Sequence, residues 1–145
     1  MSDVLPTARP ILLVEDNPAD LDLTRRAFNR RHLVNPLLVA RDGQEALDFL
    51  PRWSAGEPLP LVVLLDLKLP KVHGLDVLRQ YKREEVSRSV PVVVLTTSDE
   101  DADIETAYTL GANSYILKPV DFDKFTQVAS QIELYWCALN KPARA

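Results

Sequence analysis

The chain has 145 residues, 46% of them hydrophobic and 26% charged, with a net charge of −4. That length suits one domain with a proper core, and the acidic balance gives no bulk attraction to nucleic acid. No run approaches the ~18 apolar residues needed to cross a bilayer, so no membrane association is expected. Cys137 stands alone and forms no internal disulfide, and Met1–Pro10 holds no apolar signal core, which makes the cytoplasm the simplest location.

Apolar runs at 11–14, 37–40, 61–65 and 92–95 read as strands, and a shorter one, Ser114–Leu117, follows the turn signal Gly111-Ala112-Asn113. Continuous apolar runs of this length mark strands buried on both faces of a parallel sheet. Helix-like stretches separate them. In the first, Asn17 can cap, Pro18 fits the first helical position, and Asp20 suits the positive end of the dipole. Leu21, Thr24, Ala27 and Phe28 then mark its inner face. The second begins near Gly43 and is ended or kinked by Pro51. Pro51–Pro60, rich in Pro, Gly and Ser, reads as a surface loop carrying Trp53. The third helix follows Gly74, with Leu75, Leu78 and Tyr81 inward. The fourth starts near Ser98-Asp99, read as a cap, and the fifth runs from about Asp121 to Leu139. Five β-α repeats predict an α/β fold, one doubly wound parallel sheet with helices on both faces and right-handed crossovers.

Asp66 ends the run Leu61–Leu65, and Glu15 and Asp16 follow Ile11–Val14. In open parallel sheets ligands bind at the carboxyl edge, where both strand ends fall. Two carboxylates about 4 Å apart repel by roughly 4 kcal/mol at an effective dielectric of 20. One must be protonated or a cation must sit among them. Hard oxygen donors in an open site suit Mg²⁺, and a carboxylate beside it can take up a phosphoryl group as a mixed anhydride. A lone Asp at a strand end is usually a cap; the Glu15-Asp16 doublet shifts that balance, since a cap needs one acid. Two other strand ends add a hydroxyl pair, Thr96-Thr97, and an ammonium, Lys118, both complementary to a phosphoryl group.

This constellation resembles the receiver domain of two-component response regulators. The resemblance spans about Pro10 to Leu139 and rests on Leu-Val-Glu-Asp-Asn at 13–17, Leu-Leu-Asp-Leu-Lys-Leu-Pro at 64–70, Val-Leu-Thr at 94–96 and Ser-Tyr-Ile-Leu-Lys-Pro at 114–119. The spacings from Asp66 to Thr96 and from Tyr115 to Lys118 also match. It implies a flavodoxin-like sheet of order 2-1-3-4-5, with a flexible 1–9, a receiver domain over 10–140 and a tail at 141–145. It implies that Asp66 accepts phosphate from a sensor histidine kinase, and that Glu15, Asp16, Asp66 and the Lys68 carbonyl hold Mg²⁺. Thr96 and Lys118 would bind phosphoryl oxygens, Tyr115 would move from exposed to buried behind Thr96, and Lys118–Pro119 would be cis. Such a protein is a stoichiometric phosphoacceptor with weak self-catalysed phosphotransfer and autodephosphorylation, not a turnover enzyme. Lys68 and Ser98 stand where the family tunes phosphate hydrolysis, and His73, where the family often has Asp, reads as a solvated loop residue.

Few residues follow the fifth helix, so the expectation is a stand-alone receiver that signals by protein contact, dimerisation or phosphorelay. Phe125, Val128, Ile132, Tyr135, Trp136 and Leu139 fall at helical spacing, and Leu134-Tyr135-Trp136 exceeds one buried stripe. That ending, with the long middle loops at His32–Asn35 and Pro51–Pro60, resembles receivers paired with phytochrome-type kinases. The resemblance implies homodimers through the face of the fourth helix, fifth strand and fifth helix. Trp136 folding back on its own domain is the competing reading. Arg25, Arg26, Arg30 and Arg31 on the first helix read as a solvated face, with kinase docking second and nucleic acid unconvincing. A phosphatase with an aspartyl nucleophile usually has a second Asp where Lys68 stands. A flavodoxin-like carrier needs a phosphate loop where Glu15-Asp16 stands. A degenerate receiver would not need the intact acid, hydroxyl and ammonium set.

Overall fold

The computed structural model describes residues 9–31, 35–118 and 121–132. Five strands, β1 (Ile11–Val14), β2 (Leu37–Ala40), β3 (Val62–Leu65), β4 (Val92–Thr96) and β5 (Ser114–Leu117), form one sheet. All pairs are parallel, in the order β2-β1-β3-β4-β5. Every residue of β1, β3 and β4 is buried, whereas the edge strands β2 and β5 are mostly half-buried. The continuous apolar runs therefore mean what they were read to mean: strands covered on both faces.

Alternation of side chains divides each run between two cores. Leu12, Val14, Val63, Leu65, Val92 and Val94 pack on α2 (Gly43–Leu47), α3 (Phe49–Ser54), α4 (Gly74–Arg83) and α5 (Asp101–Thr109). Ile11, Leu13, Val62, Leu64, Val93 and Leu95 pack on α1 (Pro18–Arg30) and α6 (Phe122–Ile132). α1 starts as its sequence predicts. The Asn17 side chain accepts from the Ala19 and Asp20 N–H groups at 2.8 and 3.1 Å, and Leu21, Thr24, Ala27 and Phe28 are buried.

Three expectations need correction. The second predicted helix is two, α2 and α3, broken at Asp48. Pro51 has no N–H for the Leu47 carbonyl four residues back, and its ring crowds that carbonyl, so the break falls one turn before it. The helix then resumes through Pro51, so Trp53 lies on α3 and not in a surface loop. It is buried against Phe49 and Tyr81, with ring centroids 5.5 and 5.3 Å away. Of the residues that suggested a loop, Pro51 and Ser54 lie in α3, and Gly56, Pro58 and Pro60 follow it. In α4, Leu78 and Tyr81 are buried as expected, Leu75 packs partly buried against the same core, and Val77 joins them. Finally, α5 begins at Asp101 with Glu100 at its cap position and no side-chain capping bond. The Ser98 hydroxyl instead donates to Asp103 Oδ2 at 2.6 Å.

His73 is an N-cap of α4, its Nδ1 accepting from the Leu75 N–H at 3.1 Å. Phe125 is buried on the inner face of α6. The expectations placed on Met1–Ala8, Pro119, Tyr135, Trp136 and Leu139 lie outside the described residues. No helix among the described residues is long and apolar enough to cross a membrane.

A buried aromatic on α3 makes a direct prediction. Trp53→Ala should cost about 3–5 kcal/mol of unfolding free energy, read from urea transitions followed by circular dichroism. A loss below about 1 kcal/mol, ordinary for a surface position, would contradict the placement.

Candidate functional site

The backbone ladder runs one residue beyond β1, β3 and β5. Val14 pairs with both Ala40 and Leu65, and Thr96 with Leu117. Past those pairs, the Glu15 N–H donates to Ala40 at 2.9 Å, Asp66 to Val14 at 3.1 Å and Lys118 to Thr96 at 2.8 Å. The three residues are thereby fixed at one carboxyl edge. α4 closes the floor: the Gly74 N–H donates to the Leu67 carbonyl at 2.8 Å, and a Cβ on Gly74 would lie 2.3 Å from the Asp66 carbonyl oxygen. Only glycine permits that approach.

Asp66 sits at the centre, buried, with three donors on its carboxylate. Thr96 Oγ1 donates to Oδ1 at 2.7 Å, the Lys68 N–H to the same oxygen at 3.2 Å, and Lys118 Nζ to Oδ2 at 2.9 Å. Lys118 also lies 2.6 Å from Glu15 Oε1 and 2.7 Å from Asp20 Oδ2. Burial alone would lower the pKa of Lys118, but the hydrogen bonds it donates to three carboxylates outweigh that and hold the ammonium well above its usual range. Glu15 goes the other way. Its burial, together with the nearby Asp66 charge, outweighs the help from Lys118 and pushes its pKa up to about 7.

Glu15, Asp16 and Asp66 each place one carboxylate oxygen within 4.8 Å of the others. Glu15 and Asp66 are buried and Asp16 is exposed, which leaves one side open to solvent. With Asp20, four carboxylates face one ammonium. The excess negative charge, the hard oxygen donors and the open side all fit a divalent cation that keeps several waters. Sequence reasoning gathered Glu15, Asp16, Asp66, Thr96 and Lys118, and the structure brings all five to this edge. It missed Asp20, which was read only as a partner for the α1 dipole.

Tyr115 stands one step away. It is half-buried on β5, its hydroxyl donating to the Ser98 carbonyl at 2.7 Å. Its N–H donates to the Tyr108 hydroxyl at 3.1 Å, a contact no sequence signal announced. The buried Thr96 and Ser98 flank Thr97, so the Tyr115 hydroxyl holds the loop whose Thr96 touches Asp66. Lys68 contributes its N–H to Asp66, and Ser98 is engaged with Asp103.

The family profile of the response regulator receiver domain matches residues 11–130. The chain is 46% identical over 142 residues to the probable methanogenesis regulatory protein FilR2 of Methanothrix harundinacea, covering 96% of this chain and 92% of that protein. It is 36% identical over 138 residues to the response regulator Rcp1 of Synechocystis, covering 94% of each. Among solved structures, the phosphorylated cyanobacterial phytochrome response regulator RcpA superposes with a TM-score of 0.86 at 35% identity, covering 94% of this chain and 99% of that one. The Mn²⁺-bound form of Rcp1 gives 0.84 at 33% identity, with coverage of 94% and 99%. The bacteriophytochrome response regulator AtBRR gives 0.71 at 47% identity, with coverage of 92% and 98%.

The Glu15 carboxyl sets a pH dependence for the metal-free protein. Its folded pKa of about 7 exceeds the ordinary value of 4.5, so its contribution to stability is full below 4.5 and lost as pH rises through about 7. Glu15→Gln should remove a falling slope of up to about 1.4 kcal/mol per pH unit across that window. Urea midpoints at several pH values with chelator present measure it, and identical slopes in the two proteins would contradict the assignment.

Proposed function

The chain belongs to the response regulator receiver domain family, and we propose that it is a phosphorylation switch with Asp66 as acceptor. The observation that carries the reading is the convergence of Thr96, Lys118 and the Lys68 N–H on the Asp66 carboxylate, next to the acidic pair Glu15-Asp16.

In this reading a carboxylate oxygen of Asp66 attacks the phosphorus of a phosphohistidine on a sensor kinase. The O–P bond forms, the P–N bond breaks, and the electron pair leaves with the imidazole nitrogen. Lys118 donates to one phosphoryl oxygen and stabilises the charge on it. Thr96 Oγ1 donates to another and draws its loop towards the acceptor. Mg²⁺, held by the carboxylates of Glu15, Asp16 and Asp66 and the backbone carbonyl of Lys68, would neutralise charge on the transferring group. The acidic cluster and the Mn²⁺-bound form of Rcp1 support a divalent ion here. The reaction is stoichiometric, followed by slow hydrolysis of the acyl phosphate.

The phosphoryl group shifts a two-state equilibrium by binding one state more tightly. Tyr115 follows the Thr96 loop and changes the surface formed by α5, β5 and α6. That surface, with Tyr108 and Leu117 each about half exposed, is the proposed homodimer face. The likeness to the phytochrome response regulator RcpA and the bacteriophytochrome response regulator AtBRR supports a phytochrome-type histidine kinase as donor; the cytoplasm is the proposed location.

Asp66→Asn should abolish labelling by acetyl phosphate or kinase in the presence of Mg²⁺, with circular dichroism unchanged. Hydroxylamine-labile phosphate persisting in the variant would refute the acceptor assignment. Light scattering should give twice the monomer mass once the protein is phosphorylated; a monomer with and without phosphate would refute the dimer.

A further inference from the structure

The loop that carries Asp66 is held from outside the site. Its far end, Pro70 to Val72, rests on the N-terminus of α2. The Gly43 N–H donates to the Pro70 carbonyl at 3.2 Å, and the Val72 N–H donates to the same oxygen at 2.8 Å. The approach is close enough that a Cβ on Gly43 would lie 2.1 Å from the Val72 carbonyl oxygen. Asp42 caps α2 by accepting from the Glu45 N–H at 2.8 Å, and its other oxygen lies 3.5 Å from Lys71 Nζ.

Between these contacts Lys71 holds a φ of 69°. A bond from residue i+2 back to residue i around a positive φ is the rarer, strained form of γ-turn. A non-glycine residue stays in that region only where its surroundings over-determine it. Here one clamp is Gly43 and the other is the inner end of the loop, where Leu67 is fully buried and its carbonyl accepts from Leu69 at 3.1 Å and Gly74 at 2.8 Å. Two tight turns and a proline leave no slack between Leu67 and Val72. A displacement at Pro70 is passed to Lys68, whose N–H fixes Asp66 Oδ1.

We propose that the N-terminus of α2 is a positioning element for the acidic site, with Gly43 and Lys71 as positioning residues that keep the Asp66–Lys68 segment aligned with Glu15 and Asp16. The inference rests on the reading of that site as a divalent-cation and phosphoacceptor centre. Neither residue touches the reacting atoms; both act through the loop.

Gly43→Ala would overlap backbone and could unfold the region, so Lys71 carries the test. Its side chain is 69% exposed, and replacing it disturbs no core. Lys71→Gly and Lys71→Val lose the contact to Asp42 equally and differ in backbone preference: glycine accepts a positive φ and valine resists it. The readouts are the Mn²⁺ dissociation constant by electron paramagnetic resonance and hydrogen exchange of the Lys68 amide in metal-free protein. Lys71→Gly should bind Mn²⁺ within about twofold of the parent, and Lys71→Val about tenfold more weakly, with faster exchange at Lys68. Equal affinities and equal exchange in the two variants, with the parent binding Mn²⁺, would overturn this inference alone. A parent chain that does not bind Mn²⁺ would overturn the reading of the site and this inference with it.

Discussion

One ammonium among too many carboxylates governs the carboxyl edge of this sheet. Lys118 is within 2.9 Å of Glu15, Asp20 and Asp66, and Asp16 stands beside them. Taking these groups out of water is costly, and their mutual attraction offsets that cost only in part. The raised pKa of Glu15 is the residue of that imbalance. A cluster built for stability alone would match its charges. This one keeps a surplus of negative charge on an open side, the condition under which a divalent cation and a phosphoryl group can enter together.

Two chains of contact leave Asp66 in opposite directions. One passes from Oδ1 through Thr96 to the Ser98 loop and the Tyr115 hydroxyl, and so to the α5–β5 flank. The other passes through the Lys68 N–H to Pro70 and the N-terminus of α2. Their physical character differs. The first is made of hydroxyl bonds that can exchange partners by rotation. The second is made of backbone turns and a close glycine contact, which can only hold or break. In the proposed switch the first chain moves and the second keeps the acceptor still.

The strands and their terminal chemistry were legible because each rests on a local pattern. Continuous apolar runs gave β1, β3 and β4, and the polar residue after each run named Glu15, Asp66 and Thr96. What escaped depended on contacts between distant segments. Asp20 satisfied a local reading as a dipole partner, so nothing in the sequence marked its bond to Lys118, 98 residues away. Trp53 was hidden by the Pro and Gly around it, since Pro51 breaks one helix yet sits in the first turn of the next. Ser98-Asp99 looked like a cap because capping residues and hydrogen-bonding loop residues are the same types. The Gly43 contact with Val72 is invisible without the fold, because a glycine after Asp42 reads first as an ordinary helix start.

The burial pattern also limits where a conformational change can go. β1, β3 and β4 are covered on both faces by close-packed side chains, and such cores resist continuous deformation. β5 is only half-buried, and Leu117 at its end is half exposed. Thr96 lies at the boundary, fully buried on β4 yet joined through the next loop to Tyr115 on β5. A new group on Asp66 that pulled on Thr96 would therefore find the sheet's centre rigid and its β5 edge yielding. Motion would be channelled outward, to a half-buried flank with less packing to lose than the sheet's centre. In the proposed switch, an acceptor at the rigid centre and a readout at the half-buried edge would turn a single charge change into an altered surface.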